Sequence, residues 1–240
     1  MRRVVVTGAN RGLGLEFTRQ FLAAGDDVVA TVRQPKKADE LNKLLTASGG
    51  RGTAVRLDVV DPADVAAAAL HIGERFGAVD LLVNNAGIWS APGQPERASA
   101  GALAELRPEP VVEVLEVNAV GPILVTQALA PLLAAAGGAI VVNLSSGLGS
   151  LARATSRGNV AYGMSKAALN MLTRHLAAEL RPQGTIVVAV SPGWVATDMG
   201  GAGAPLAPPE SVQGILNVID ALTPAQSGSF LDHTGATVPW

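Results

Sequence analysis

The chain has 240 residues, of which 48% are hydrophobic and 16% are charged, and its formal net charge is −2. Such a composition can fill a large apolar core, while the small negative charge argues against nucleic acid or an anionic membrane as the main partner. The chain has no cysteine, which excludes disulfides, cysteine-zinc sites and cysteine catalysis. The three scattered histidines, His71, His175 and His233, form no metal-spaced cluster.

The N-terminal segment does not predict a signal peptide. Its apolar run at residues 4–6 is broken at once by Thr7 and Gly8, which makes the run too short for a signal-peptide core. No stretch approaches the roughly 18 apolar residues of a membrane span without Gly, Pro or charge. We therefore expect a cytoplasmic protein with no membrane partner.

Short runs rich in Val, Ile and Leu alternate along the chain with segments of helical periodicity. The apolar runs predict buried strands at residues 4–6, 28–32, 53–57, 79–83, 138–144, 185–190 and 230–231. Apolar residues three and four apart predict helices at residues 12–24, 36–45, 62–76, 111–136, 162–180 and 209–222. Pro122 is expected to kink the fourth helix, and residues 191–209 are expected to form a mobile flap.

This alternation predicts one α/β domain over residues 1–240. Strands that alternate with helices imply a parallel sheet of about seven strands with helices on both faces, a doubly wound arrangement. No linker-like stretch divides the chain. Ligands of such folds bind at the carboxyl ends of the strands.

The first strand-to-helix turn is rich in glycine and reads Thr7-Gly8-Ala9-Asn10-Arg11-Gly12-Leu13-Gly14. Its glycines permit a tight turn, close approach of the backbone to a pyrophosphate and close packing of the helix, whose N-terminus faces the phosphates. The position of the turn after the first strand favours a dinucleotide site over a purely structural turn. The candidate ligands are Gly8, Asn10, Arg11, Gly12, Leu13 and Gly14.

The end of the second predicted strand bears on the identity of the dinucleotide. NAD sites place an acid there for the ribose 2′-hydroxyl, whereas this chain has Thr31-Val32-Arg33. Arg33 and Arg11 beside the ribose would favour a 2′-phosphate, and therefore NADP(H). The alternative is that both arginines are merely solvated.

Polar residues also end the third and fourth predicted strands. The Asp58 carboxylate can accept a hydrogen bond from an adenine amino group, with the Val59 backbone assisting. Asn84-Asn85-Ala86-Gly87 follows the fourth strand, and its small residues and amides suit a narrow cofactor floor. The candidates are Asp58, Val59, Asn85, Ala86 and Gly87, although each feature alone is also typical of ordinary strand-end turns.

Tyr162 is the only tyrosine of the chain and lies four residues before Lys166, at the start of a predicted helix. Residues four apart share one face of a helix. The ammonium is therefore expected to lower the phenol pKa from about 10 and to make Tyr162 a proton donor nearer neutral pH. A surface Tyr–Lys pair is the alternative.

Together these motifs resemble those of the short-chain dehydrogenase/reductase family. The glycine turn, residues 84–87, Asn118, Ser146, the Tyr162–Lys166 pair and Pro192-Gly193 occur in the family's order and span nearly the whole chain. Segments 143–149, 192–201 and 227–240 are similar to the carbonyl reductase, sniffer and C-factor group. The resemblance implies a Rossmann-type fold and an NADPH-dependent reductase of ketones or aldehydes.

The resemblance also implies catalytic roles. Tyr162 would be the general acid, Lys166 would bond the nicotinamide ribose and lower the tyrosine pKa, Ser146 would hold the substrate carbonyl, and Asn118 would position a proton-relaying water. Ser146 lies 16 residues before Tyr162, a longer interval than the family uses. Ser145 therefore remains an alternative.

The segment after the sixth predicted strand would meet the nicotinamide carboxamide. The resemblance assigns this contact to Pro192, Gly193, the Val195 backbone and the Thr197 hydroxyl, although Thr197 also suits a helix cap or turn. Two tryptophans, Trp89 and Trp194, are candidate pocket walls or packing residues. Two loop arginines, Arg153 and Arg157, are either charges near the substrate or solvated.

The predicted function is reduction of a small, largely apolar ketone or aldehyde by NADPH. A homodimer or homotetramer built through residues 111–136 and 162–180 is expected from the resemblance, although core packing would produce the same apolar pattern. The alternative function is a cofactor-binding signalling protein whose reductase activity is incidental.

Overall fold

A computed structural model of the chain describes residues 1–94, 96, 100–155 and 158–240. The predicted mouth residue Arg157 lies outside these ranges. A parallel sheet has the strand order β3-β2-β1-β4-β5-β6-β7. The strands are β1 (Arg3–Thr7), β2 (Asp27–Val32), β3 (Gly52–Arg56), β4 (Leu81–Asn84), β5 (Ile140–Leu144), β6 (Ile186–Ser191) and β7 (Phe230–Asp232). The predicted seven-stranded doubly wound sheet is confirmed.

The helices connect successive strands and lie near their predicted positions. They are α1 (Gly12–Ala23), α2 (Asp39–Ala47), α3 (Pro62–Phe76), α4 (Pro108–Ala136), α5 (Val160–Glu179) and α6 (Pro208–Ala221). Local chemistry sets the two ends of α3. Asp61 caps its start with the carboxylate, and Gly77 ends the helix in a left-handed conformation.

Alternate residues of β1 feed two separate cores, because successive side chains of a strand point to opposite faces. Val4 and Val6 pack with Phe17 of α1 and Ile215 of α6. Val5 packs in the other core, which also contains side chains of α3 and α4. Both faces of the sheet are therefore covered, which explains why the strands are continuous apolar runs.

The long helix α4 departs from the prediction in two respects. It begins at Pro108, three residues before the predicted start, and its irregularity is a π-helical turn at Glu116–Val120. This turn ends just before Pro122, which the sequence analysis expected to kink the helix. The π-helical turn carries Asn118, whose buried side chain bonds to Ile88 and Ser165.

Helix α4 is also long and apolar enough to cross a membrane, with a mean hydropathy of 1.7 in its most apolar window, of which 39% is buried. Core helices of globular proteins pass the same test of length and composition, so this property is weak evidence for a span. Here Val125, Leu129 and Leu133 of α4 belong to one of the two cores beside the sheet.

The strand order reverses between β1 and β4, which are neighbours in the sheet although two strands separate them in the chain. The connections leaving these strands run in opposite directions and leave a crevice at their carboxyl ends. The glycine-rich turn and residues 84–87 both lie at this point.

Candidate active site

A cleft of about 780 Å³ opens at the carboxyl ends of the central strands. Most of the predicted site residues line it: Gly8, Asn10, Arg11, Gly12, Leu13, Gly14, Arg33, Asp58, Val59, Asn85, Ala86, Gly87, Tyr162, Lys166, Pro192 and Thr197. Four predicted residues, Asn118, Ser146, Gly193 and Val195, are not part of this lining. The predicted residues that line the cleft thus come from six separate parts of the sequence.

The glycine turn is held against the end of β4 by reciprocal hydrogen bonds. The Thr7 hydroxyl accepts from the backbone N–H groups of Asn85 and Ala86 at 3.0 Å each. The Asn85 amide donates to the carbonyls of Thr7 (2.8 Å) and Gly8 (3.1 Å). Asn85 therefore acts by fixing the turn, a role that the sequence analysis did not assign to it.

Two glycines of this turn have no room for a side chain. A Cβ on Gly8 would lie 2.9 Å from the Cα of Ala86, and Gly8 has a φ of +68°. A Cβ on Gly14 would overlap the carbonyl oxygen of Gly8. The bare backbone at the start of α1 fits the close approach of a pyrophosphate, so these residues suit a dinucleotide.

The end of the cleft near β2 is basic. Arg33 lines it as predicted, and two further cations that the sequence analysis missed, Lys37 and Arg56, line it too. Arg56 is partly neutralised by Asp64 at 3.1 Å, whereas no ion pair involves Arg33 or Lys37 within the described residues. The position of Lys37, four residues after Arg33, was the signal that could have revealed it.

Arg11 has a partner that the sequence did not suggest. Its guanidinium lies 2.7 Å from the carboxylate of Asp198, and both side chains are largely exposed. The pair joins the glycine turn to the segment after β6, where Thr197 packs beside Gly12. In this state Arg11 is neutralised by protein and not merely solvated.

Tyr162 is 7% exposed, and its pKa moves in the direction opposite to the sequence-based expectation. Burial raises the pKa of Tyr162 to about 12, and a hydrogen bond with the Ser146 hydroxyl offsets part of that rise. Desolvation of the phenolate therefore outweighs the lowering that was expected from Lys166. The phenol is thus held protonated, the form that a general acid requires.

The two neighbouring serines after β5 have different partners. The Ser145 hydroxyl is buried and donates to Oδ1 of Asn170 at 2.6 Å. The Ser146 hydroxyl accepts from the Leu148 N–H at 3.2 Å, and its proximity lowers the pKa of Tyr162. The contacts therefore favour Ser146 as the partner of the tyrosine and give Ser145 a structural bond.

Lys166 is buried beside Tyr162, with its ammonium 5.5 Å from the centre of the phenol ring. The Nζ atom donates to the carbonyl of Leu144 at 2.8 Å. Burial lowers the pKa of Lys166 to about 8, so the side chain is still mostly charged at neutral pH.

Asn118 ties the loop after β4 to helix α5. Its Oδ1 accepts from the Ile88 N–H, and its Nδ2 donates to the Ile88 carbonyl and to the Ser165 hydroxyl, at 2.8, 2.8 and 2.9 Å. Both amide hydrogens are therefore in use. Ser165 in turn donates to the carbonyl of Tyr162 at 2.8 Å, so Asn118 also steadies the turn that carries the tyrosine.

Hydrogen bonds of the backbone and of two side chains join residues within the segment after β6. Val195 pairs with Leu206 in an isolated bridge, and the Trp194 indole donates to the Gly200 carbonyl at 2.8 Å. The Thr197 hydroxyl accepts from the Gly200 N–H at 3.2 Å. This bond is the turn role that the sequence predicted for Thr197 as an alternative to cofactor binding. Gly193 adopts a φ of +83° where the chain turns.

Of the two tryptophans, only Trp89 contacts the catalytic candidates, with its ring centre 4.8 Å from that of Tyr162. Trp194 is 62% exposed and does not line the cleft. Arg153 reaches to within 3.9 Å of the position that a Cβ on Gly147 would take, so it lies over the turn that follows Ser146.

Comparison with known proteins agrees with this geometry. A family model described as short chain dehydrogenase matches residues 2–204. The chain is 44% identical over 167 residues to C-signal of Myxococcus xanthus, covering 68% of this chain and 94% of that protein. The NADPH-bound carbonyl reductase from chicken fatty liver superposes with a TM-score of 0.91 at 38% identity, covering 100% of this chain and 99% of that one.

The carbonyl reductase Sniffer of D. melanogaster also superposes with a TM-score of 0.91, at 32% identity and with 100% of both chains covered. The resemblance of this chain to the carbonyl reductase, sniffer and C-factor group is thereby confirmed.

Proposed function

Because this chain belongs to the short-chain dehydrogenase family, whose model matches residues 2–204, we propose that it reduces a ketone or aldehyde carbonyl to an alcohol with NADPH. The observation that carries the proposal is that the Ser146 hydroxyl lies close enough to the buried Tyr162 phenol to lower its pKa, beside the buried Lys166. Two neighbouring hydroxyls can both donate to the oxygen of a carbonyl as it gathers negative charge.

The cofactor assignment rests on the cradle and the basic end of the cleft. The glycine turn would hold the pyrophosphate, Asp58 the adenine, and Arg33 with Lys37 the 2′-phosphate. The solved chicken liver relative is described as NADPH bound, and a relative from Burkholderia multivorans as having bound NADP. A nicotinamide bound in this cleft would supply the hydride.

Residues of the chain then transfer one proton to the substrate. Tyr162 donates its hydroxyl proton to the carbonyl oxygen, and Ser146 orients that oxygen through a second hydrogen bond. The buried Lys166 ammonium favours the phenolate that remains, because an opposite charge stabilises an anion. Asn118 holds the surrounding turns in place through Ile88 and Ser165.

The substrate is proposed to be small and largely apolar. Ile88, Val117, Leu144 and Met199 are among the residues that line the cleft. The acid Glu113 lines it too, and this charge disfavours anionic substrates. We also propose that residues 1–240 form one domain. The protein would assemble as a homodimer or homotetramer in the cytoplasm.

A second candidate is a cofactor-binding signalling protein, favoured by the 44% identity with C-signal. The test is NADPH oxidation over a panel of ketones and aldehydes, with Tyr162→Phe as the matched variant. We expect turnover in the native protein and a loss of about 10²- to 10⁴-fold in the variant, with NADPH affinity retained. Cofactor binding without turnover on any carbonyl would favour the signalling candidate.

A further inference from the structure

We propose that Trp89 and Asn159 are positioning residues for Tyr162. The Trp89 indole covers the phenol ring, and the Asn159 side chain fastens the helix turn that carries the phenol to the loop that carries the indole. The inference rests on the proposed role of Tyr162, and it concerns how this side chain is kept protonated and in place.

The first observation is the contact of the two rings. Their centres lie 4.8 Å apart with the planes tilted by 43°, within the range of favourable aromatic pairs. The indole is held in this position at its far edge, because its N–H donates to the carboxylate of Glu96 at 2.6 Å. Trp89 follows the cleft-lining residue Ile88, and its ring lies against that of the tyrosine.

The second observation is the pair of hydrogen bonds made by one buried amide. Oδ1 of Asn159 accepts from the backbone N–H of Tyr162 at 3.0 Å, which caps the N-terminus of α5. Nδ2 of the same amide donates to the backbone carbonyl of Trp89 at 2.8 Å. Asn159 is 8% exposed and therefore couples the positions of the two rings directly.

These contacts explain how a phenol at the edge of a wide cleft is only 7% exposed. The ammonium of Lys166, on the same helix, lies 5.5 Å from the centre of the phenol ring. That charge favours the phenolate, so the cover of water-excluding groups has to outweigh it. Trp89 supplies an aromatic part of this cover from the loop after β4.

The experiment uses the fact that Tyr162 is the only tyrosine of the chain. Tyrosinate absorbance during alkaline titration of the cofactor-free protein reports its ionisation without any substrate. In Trp89→Ala, water reaches the ring and the midpoint falls by about one unit or more toward the ordinary value of about 10. Trp89→Phe keeps an aromatic cover and lowers the midpoint less.

Asn159→Ser separates the two bonds of the amide. Serine keeps a cap for α5 but cannot also reach the Trp89 carbonyl, so the midpoint falls while the helix persists in circular dichroism. The matched control is Trp240→Ala, which removes a ring that stacks on Phe230 instead of Tyr162 and leaves the midpoint unchanged. Asn159→Ser and Trp89→Phe keep the test decisive if the alanine variant does not fold.

A Tyr162 midpoint equal to the native one in folded Trp89→Ala, or in Trp89→Phe and Asn159→Ser together, overturns the inference. The companion readout is carbonyl reduction, in which the variants lower kcat more than they raise the KM for NADPH. If the midpoint shifts but no variant and no native protein reduces any carbonyl, the positioning role stands and the proposed function fails.

Discussion

The guanidinium of Arg11 and the carboxylate of Asp198 lie 2.7 Å apart, one in the glycine turn and the other in the segment after β6. The two residues are far apart in the sequence, and their ion pair spans the rim of the cleft. Because Arg11 is a proposed ligand of an anionic cofactor, Asp198 competes for the same cation.

Replacing Asp198 with asparagine should therefore tighten NADPH binding. The variant removes one negative charge from the cleft and frees Arg11, and an exposed pair of this kind is worth about 0–1 kcal/mol, a change of up to about fivefold in Kd. Fluorescence titration with NADPH measures the effect. Asp220→Asn, which breaks the Arg2 pair outside the cleft, is the control. Weaker binding in Asp198→Asn would contradict this competition.

Charge reversal at the basic end of the cleft should change cofactor preference. Arg33→Asp and Lys37→Glu each remove a cation proposed to meet the 2′-phosphate, and a charge-assisted bond contributes about 1.5–3 kcal/mol. We expect NADPH affinity to fall by about tenfold or more in each, with NADH affinity nearly unchanged. Lys36→Glu alters the neighbouring charge, which does not line the cleft. An equal loss of NADPH affinity in Lys36→Glu would mean that the overall positive potential, and not direct contact with the 2′-phosphate, favours NADPH.

The serine pair separates catalysis from stability. Ser146→Ala removes the hydroxyl proposed to hold the substrate carbonyl beside Tyr162 and should lower turnover by about 10²-fold or more with little change in Tm. Ser145→Ala leaves the buried side-chain oxygen Oδ1 of Asn170 without its donor. This loss costs about 1–3 kcal/mol of stability, and Tm should fall by several degrees. Steady-state kinetics and thermal melts on both variants test this, and the reverse pattern would assign catalysis to Ser145.

Lys166→Met should lower activity and raise the free energy of unfolding. The gain in stability should depend on pH. The folded-state pKa of about 8 lies below the ordinary 10.5, so the charged lysine destabilises the fold fully below pH 8. That cost fades as the pH rises toward 10.5. The stability gain of the variant over the native protein, from urea unfolding, should be larger at pH 7 than at pH 10.5. A gain independent of pH would show that the Lys166 ammonium is not destabilised by burial.

Several predictions succeeded because they depend on local information. Short β-branched runs bounded by turn residues are typical of strands buried on both faces, and Gly8 and Gly14 of the first turn occupy positions where the backbone leaves no room for a Cβ. Even Pro62–Phe76 matches residue for residue, since proline and glycine define its two ends. Asn159 was missed because its cap shifts the start of α5 to Val160.

The sequence by itself determined the order of strands and helices, the glycine cradle and the spacing of Tyr162 and Lys166, since each follows from neighbours along the chain. Only the tertiary structure decided that Ser146 lowers the tyrosine pKa, that Asp198 pairs with Arg11, and that Lys37 joins the basic end of the cleft. It also reversed the expected shift in the tyrosine pKa. Desolvation and pairing depend on which distant groups are brought into contact, and that is a property of the packed fold.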